Sequence, residues 1–174
     1  MISNNQYPRI TKEQILGMPS DSSWMKKIFM MCLENQKKSN AKVKVGCVVE
    51  AMEYRKDSTP IFDFHGCNIH VSDSFGDTHA ERMAIDFALK EKCYPIAVFV
   101  TSMSFKENVI LCGSCRHYIS EINEDCLIII FNPDGSIKEI SAIKDVYPNH
   151  KDVTKKNKMF YEYCAGLSDI KKGN

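Results

Sequence analysis

Two things are missing from this 174-residue chain: an excess of charge of either sign and a long apolar run. Its 23 basic and 22 acidic side chains give a formal charge of +1, a field too weak to favour nucleic acid or an acidic membrane as a partner. Apolar runs such as Leu127–Phe131 are far too short to cross a bilayer. The polar segment Met1 to Arg9 also lacks the apolar core of a secretory signal. We therefore expect a soluble, cytoplasmic protein that binds a small molecule.

The chain has no internal repeat and no low-complexity segment, and its length suits one domain with a single core. We expect one domain over residues 1–174, with a core from about 24 to 150, a polar N-terminal segment and a Lys-rich C-terminal helix or tail. Eight cysteines could form a disulfide framework, but that arrangement belongs to short secreted chains. We expect reduced cysteines, of which four in or beside apolar segments are buried: Cys32, Cys47, Cys93 and Cys126.

Helical and extended patterns alternate along the chain, which is typical of an α/β layered domain. The apolar periodicity predicts helices over residues 24–38, 79–92 and 113–122, and strands over 43–52, 61–71, 96–102, 127–131 and 136–140. Ser22 or Ser23 is expected to cap the first helix, and Asp77 or Thr78 the second. The first two strands should pair as a hairpin around a polar turn at 55–60. The second helix should pack on the core through four residues: Met83, Ala84, Phe87 and Ala88.

Two short segments carry the residues of a zinc site, His79-Ala80-Glu81 and Cys112-Gly113-Ser114-Cys115. Three protein ligands, His79, Cys112 and Cys115, would leave the fourth position of a tetrahedral zinc open to water, as catalytic sites do. Glu81 lies two residues from the histidine, where it can act on that water without binding the metal. His-x-Glu followed by Cys-x-x-Cys is the signature of zinc-dependent nucleobase deaminases. Chance coincidence, a redox pair and a closed structural site are the competing interpretations.

Both segments fall where a helix is predicted to begin. The partial positive charge of a helix N-terminus favours thiolate over thiol, which would prepare both cysteines as ligands. Two thiolates cancel the charge of Zn²⁺, so an adjacent base such as Glu81 becomes necessary to activate water. Arg82 is expected either to hydrogen-bond a ligand thiolate or to be a solvent-facing arginine paired with a neighbouring acid.

The chain resembles the cytidine deaminase family of the cytidine deaminase-like zinc hydrolase superfamily over roughly residues 24 to 150. The resemblance is carried by His79-Ala80-Glu81-Arg82, Cys112-Gly113-Ser114-Cys115-Arg116, Val45-Gly46, Gly66-Cys67-Asn68-Ile69 and Val146-Tyr147-Pro148. It implies a three-layer α/β/α fold with a five-stranded mixed sheet between helices. It also implies a zinc cofactor, a homotetramer or dimer with active sites at subunit interfaces, and conversion of cytidine or deoxycytidine to the uridine form in pyrimidine salvage.

The resemblance places Asn68, His70, Val43 and Ala80 at the substrate. His70 stands where the family has a glutamate that holds the sugar, and Val43 where it often has a phenylalanine against the base. Leu111 replaces a proline before the first ligand cysteine. Blasticidin deaminases of the same superfamily also lack that glutamate, so a nucleoside antibiotic is an alternative substrate. For His70 and Asn68, hydrogen bonds to the backbone are the alternatives to substrate contact.

Two further alternatives concern the class of function. A zinc-stabilised binding or assembly module without catalysis is disfavoured, because a structural site has no use for a carboxylate such as Glu81 beside an open position. A nucleic-acid deaminase would need the lysines of the C-terminal tail to meet phosphates, and the near-zero net charge weakens that interpretation.

Overall fold

A computed structural model describes residues 12–19, 22–53, 61–72, 76–103 and 111–147. Its main sheet has five strands in the order β2 (Ile61–Cys67), β1 (Gly46–Glu53), β5 (Cys93–Thr101), β6 (Leu127–Phe131) and β7 (Ile137–Ala142). Strands β5 and β6 are parallel, and the other neighbouring pairs are antiparallel. A separate two-stranded ribbon pairs β3 (Ile69–Ser72) with β4 (Gly76–Thr78). The predicted five-stranded mixed sheet between helices is confirmed.

Helices cover both faces of the main sheet. One face is covered by α1 (Lys12–Gly17) and α2 (Ser23–Lys37), which pack on Val48 and Phe99 among others. The other face is covered by α3 (Ala80–Lys90), α4 (Gly113–Ile122) and the short α5 (Ile143–Val146). Helix α4 connects the parallel strands β5 and β6, which need such a crossover. Strand β6 is buried along its whole length, as its continuous apolar run predicts.

Local signals placed several elements correctly. The Ser22 side chain accepts a hydrogen bond from the backbone N–H of Met25 at 3.2 Å, so it caps α2 as predicted. Strands β1 and β2 form the predicted antiparallel hairpin. The four cysteines expected in apolar segments are all buried: Cys32, Cys47, Cys93 and Cys126.

Asn68 changes the extent of two predicted strands. Its side-chain oxygen accepts the Val45 N–H at 2.7 Å, and its amide nitrogen donates to the Val43 carbonyl at 2.6 Å. A side chain therefore satisfies backbone groups that a neighbouring strand would otherwise pair, and β1 begins at Gly46 instead of residue 43. The predicted strand 61–71 is likewise divided at Asn68 into β2 and β3, which belong to different sheets.

Two predictions for the α3 region are wrong. Asp77 and Thr78 lie in β4, and the N-cap of α3 is His79, which makes no capping hydrogen bond with its side chain. Ala84 and Ala88 are buried as expected, but Phe87 is 50% exposed, because the face of α3 toward the sheet includes Ile85 instead. Side chains two positions apart in a helix point to nearly opposite sides of it.

Three predicted features lie outside the described residues: the polar N-terminal segment, the turn at 55–60 and the Lys-rich C-terminal helix or tail. Helix α1 was not anticipated from the sequence. Among the helices described, none has the length and apolar composition needed to cross a membrane.

The packing of α3 on the sheet requires a glycine at position 66. A Cβ there would lie 2.0 Å from the Ala80 carbonyl oxygen and 2.9 Å from the Ala84 nitrogen, both of them backbone atoms of α3. We predict that Gly66→Ala lowers the free energy of unfolding by about 2–3 kcal/mol, because α3 must move away from β2. Urea unfolding checks this. Gly17→Ala is the control, since a Cβ at that position meets nothing within 4 Å; equal effects of the two variants would contradict the prediction.

Glu50 is a buried carboxyl group from which we expect a pH-dependent stability. It is 3% exposed in β1, with Asp63 opposite it in β2, and its Oε2 has no hydrogen-bond partner among the described residues. Burial and the Asp63 carboxylate together raise the pKa of Glu50 to about 8. Between the ordinary glutamate pKa, about 4.3, and this value, the folded chain holds a proton that the unfolded chain has lost. The stabilising contribution of protonated Glu50 is therefore lost as pH rises through that window.

We predict that Glu50→Gln weakens the fall in stability between pH 5 and pH 9, because the amide carries no charge to bury. Urea unfolding at several pH values in that range measures the slope. Glu34→Gln, a substitution of an exposed glutamate on α2, should keep the wild-type slope. Identical slopes for wild type and Glu50→Gln would show that Glu50 stays ionised in the folded chain.

Candidate metal centre

The starts of two helices bring the three predicted ligands together. His79 is the N-cap residue of α3, Cys112 is the N-cap residue of α4, and Cys115 lies in the first turn of α4. Their ligand atoms all lie within 4.8 Å of one another, and Cys112 Sγ is 3.3 Å from His79 Nδ1. Within the described ranges, no other group of three His, Cys, Asp or Glu side chains comes together in this way. The helices meet here because both pack on the same face of the sheet.

The N-terminus of α4 donates directly to one of the sulfurs. The backbone N–H of Cys115 donates to Cys112 Sγ at 3.3 Å, and Ser114 Oγ lies 3.1 Å from the same sulfur. The thiolate preference that a helix start is expected to give both cysteines stays a prediction. At Cys115 burial acts in the opposite direction and raises the pKa of the thiol, with the Glu81 carboxylate adding to the rise. Loss of that proton is therefore coupled to the binding of a cation.

Glu81 is buried beside the ligands without being one of the three. Its side chain is hydrogen-bonded to that of Cys115 and is 6% exposed. Burial raises the pKa of Glu81, while backbone hydrogen bonding, His79 and the contact with Cys115 lower it. A carboxyl group in such a position is suited to accept and return a proton.

A cavity of about 220 Å³ opens onto this cluster. Its described lining residues are Val43, Val45, Asn68, Asp77, His79, Ala80, Glu81, Val100, Leu111 and Cys112. Half of these are apolar, so the cavity combines a hydrophobic wall with a few polar groups, as small-molecule sites do. Of the residues expected at the substrate, Asn68, Val43 and Ala80 line the cavity, and their contacts with substrate stay predictions.

His70 is not one of the described lining residues. It faces Asp77 across the β3–β4 ribbon, and its Nδ1 lies 2.8 Å from Asp77 Oδ1. Asp77 is the residue that lines the cavity, and we had not identified it as a site residue from the sequence. The available signal was an acidic side chain two positions before His79, which we interpreted as a helix cap.

Arg82 and Arg116 lie near the ligand segments but show other contacts. The Arg82 guanidinium carbon is 4.9 Å from the ring centroid of Tyr118, whose hydroxyl is hydrogen-bonded to Asp86. Arg116 donates from Nη1 to the Val146 carbonyl at 2.9 Å and so connects α4 to the end of α5. A hydrogen bond from Arg82 to a ligand thiolate stays a prediction.

The fold is similar to those of solved cytidine deaminases. The enzyme from Burkholderia pseudomallei aligns with a TM-score of 0.58 and 21% identity, over 71% of this chain and 96% of that one. The enzyme from Mycobacterium leprae gives 0.52 and 17%, over 74% and 100% of the two chains. The enzyme from Bacillus anthracis gives 0.53 and 12%, over 83% and 97%. At identities this low the likeness shows a shared fold, which many functions can use.

The sequence matches no protein-family model and no curated protein. The structural likeness shows a deaminase-like fold, and the His/Cys/Cys cluster is a candidate metal site within it.

The donor set fits zinc. One imidazole nitrogen and two sulfurs are common zinc ligands, and three of them leave a position open in tetrahedral geometry. The softness of the two sulfurs disfavours Mg²⁺ and Ca²⁺, which take oxygen ligands.

We predict that the purified protein carries about one zinc ion per chain, and that His79→Ala and Cys115→Ser each reduce this to near zero. Inductively coupled plasma mass spectrometry of dialysed protein measures the stoichiometry. Cys93→Ser, at the start of β5 and outside the cluster, should retain the metal. Full zinc content in Cys115→Ser would show that these side chains do not form the metal centre.

Proposed function

We propose that this protein is a zinc-dependent hydrolytic deaminase that converts cytidine, deoxycytidine or a related aminopyrimidine nucleoside to the uridine form and releases ammonia. The observation that carries the proposal is the position of Glu81. This carboxyl group is buried, contacts a ligand cysteine and lines the cavity, but does not belong to the three-ligand group. A structural zinc site has no use for such a group, which disfavours a non-catalytic zinc-stabilised module.

In the proposed reaction, the Glu81 carboxylate takes a proton from water, and the water oxygen adds to the ring carbon that bears the amino group. Glu81 then gives the proton to the adjacent ring nitrogen. The amino group leaves as ammonia after a second proton transfer, so water is consumed and the amine becomes a carbonyl. Zinc held by His79, Cys112 and Cys115 would supply the Lewis acidity that activates the attacking water. Burial supports the exchange, because it raises the pKa of Glu81 and so helps the group hold a proton between steps.

The apolar wall of the cavity supports a flat aromatic substrate. Val43, Val45, Val100 and Leu111 line it beside the metal centre. Aliphatic side chains of this kind can pack against the faces of a pyrimidine ring and keep bulk water away from the reacting carbon.

We predict that Glu81→Gln lowers kcat for cytidine by about 10²–10⁴-fold while zinc content and folding are kept, because glutamine cannot accept the proton. Ammonia release measured over a panel of cytidine, deoxycytidine, cytosine, cytidine monophosphate and blasticidin S also identifies the substrate class. Glu34→Gln, on the opposite side of the sheet, should turn over at the wild-type rate. Equal rates for wild type and Glu81→Gln would remove Glu81 from the mechanism.

Assembly into a homotetramer or dimer stays a prediction, as does a cytoplasmic location.

A further inference from the structure

Two polar residues of the cavity wall have no part in the proposed chemistry. Five polar side chains line the cavity among the described residues. Of these, His79 and Cys112 are candidate metal ligands, and Glu81 is the proposed acid–base group. The other two are Asn68 and Asp77. Among the described residues, a side chain of the cavity that recognises the non-reacting part of a substrate should be one of these two.

Asn68 is largely occupied by the protein. Its Oδ1 accepts from Ser39 Oγ at 2.8 Å and from the Val45 N–H at 2.7 Å, and its Nδ2 donates to the Val43 carbonyl at 2.6 Å. An amide oxygen has two lone pairs and an amide nitrogen two hydrogens, so one N–H is left for a ligand. Asn68 therefore shapes the cavity wall more than it recognises a ligand.

Within the part of the chain that the structure describes, Asp77 keeps most of its hydrogen-bonding capacity. A carboxylate has about four acceptor positions, and the contact with His70 Nδ1 at 2.8 Å uses one of them. The Asp77 side chain lines the cavity and is 37% exposed. Because an ionised carboxylate only accepts hydrogen bonds, its partner in a ligand must be a donor.

The orientation of Asp77 is held by two contacts in series. His70 lies directly opposite Asp77 in the ribbon and donates from Nδ1, because the carboxylate cannot donate. The backbone of His70 is held in turn by Asn40, which accepts its N–H at 2.8 Å and donates to its carbonyl at 3.2 Å. A recognition group with a fixed position loses less entropy when it binds a ligand.

The charge of the cavity wall selects among donors. The described lining residues include no lysine or arginine, so a phosphate would meet the Asp77 carboxylate without a compensating cation. Sugar hydroxyl groups are donors without negative charge and do not meet this repulsion. An ammonium group would also bind, and comparing the binding of cytidine with that of blasticidin S distinguishes a hydroxyl donor from a cationic one.

Resting on the proposed function, we infer that Asp77 is a specificity-determining residue that accepts a hydrogen bond from a sugar hydroxyl of an unphosphorylated nucleoside, with His70 as its positioning residue. Position 70, where the family's sugar-binding glutamate is expected, thus supports a carboxylate that comes from the facing strand.

The test is ligand binding by zinc-loaded Glu81→Gln protein, in which turnover is blocked, measured by isothermal titration calorimetry. Cytidine should bind about 10–100-fold more tightly than 2′,3′-dideoxycytidine, the range expected for one hydrogen bond to a charged group. Adding Asp77→Asn should bring the two dissociation constants within about threefold of each other and should weaken the rejection of cytidine monophosphate. Asp145→Asn, on α5, is the matched control and should preserve the hydroxyl preference.

His70 is tested in the same background. His70→Ala should lose most of the preference for the hydroxyl-bearing ligand, and His70→Asn should restore part of it, because the asparagine amide can place an N–H near the position of Nδ1. A merely structural role of His70 would weaken both ligands equally.

Three results would overturn the inference. The first is an unchanged hydroxyl preference after Asp77→Asn, and the second is no binding of cytidine by folded, zinc-loaded protein. The third is a selective loss of blasticidin S binding in Asp77→Asn with cytidine unaffected, which would assign the carboxylate to a cationic group. Ammonia release by wild-type protein tests the proposed function separately. A protein that deaminates cytidine and its dideoxy analogue at equal rates would support the proposed function and contradict the role of Asp77.

Discussion

The close approach of α3 to β2 at Gly66 is the contact on which the arrangement of the site depends. The Ala80 carbonyl lies where a side chain at position 66 would begin, so the first turn of α3 rests directly on the strand. His79 and Glu81 flank Ala80 in sequence and take their positions from this contact. Since Cys112 and Cys115 come from a different helix, the distances among the ligands are set by how closely both helices pack on the sheet. A metal centre built from two helix starts needs such a rigid base.

Asn68 performs a similar function for the wall of the cavity. By bonding the backbone at Val43 and Val45, it holds a segment outside the sheet and turns that segment into part of the lining. The same residue ends the main sheet's β2 and allows the chain to enter the β3–β4 ribbon, which carries Asp77. One buried amide thus connects the apolar wall with the acidic group, because its bonds to Val43 and Val45 replace strand-pairing bonds.

Sequence patterns predicted the parts of the fold whose signals are local. Ser22 caps α2 by accepting a hydrogen bond from Met25, only three residues away in the chain. The continuous apolar run of β6 likewise indicates a strand buried on both faces. The start of β1 could not be read in this way, because it depends on Asn68, more than twenty positions away in the chain. The exposure of Phe87 was also missed, since the apolar stripe of a short helix can be drawn through several sets of positions.

The sequence by itself determined the donor types of the candidate metal centre and the presence of Glu81 beside them, because their spacing within each short segment is enough to identify them. It also determined the α/β class through the alternation of periodicities. Only the tertiary structure decided that Asp77 lines the cavity and that His70 contacts it, because that contact depends on the register of β3 against β4. Register and helix packing arise from contacts between distant parts of the chain, and a local pattern carries no record of which partner each side chain will meet.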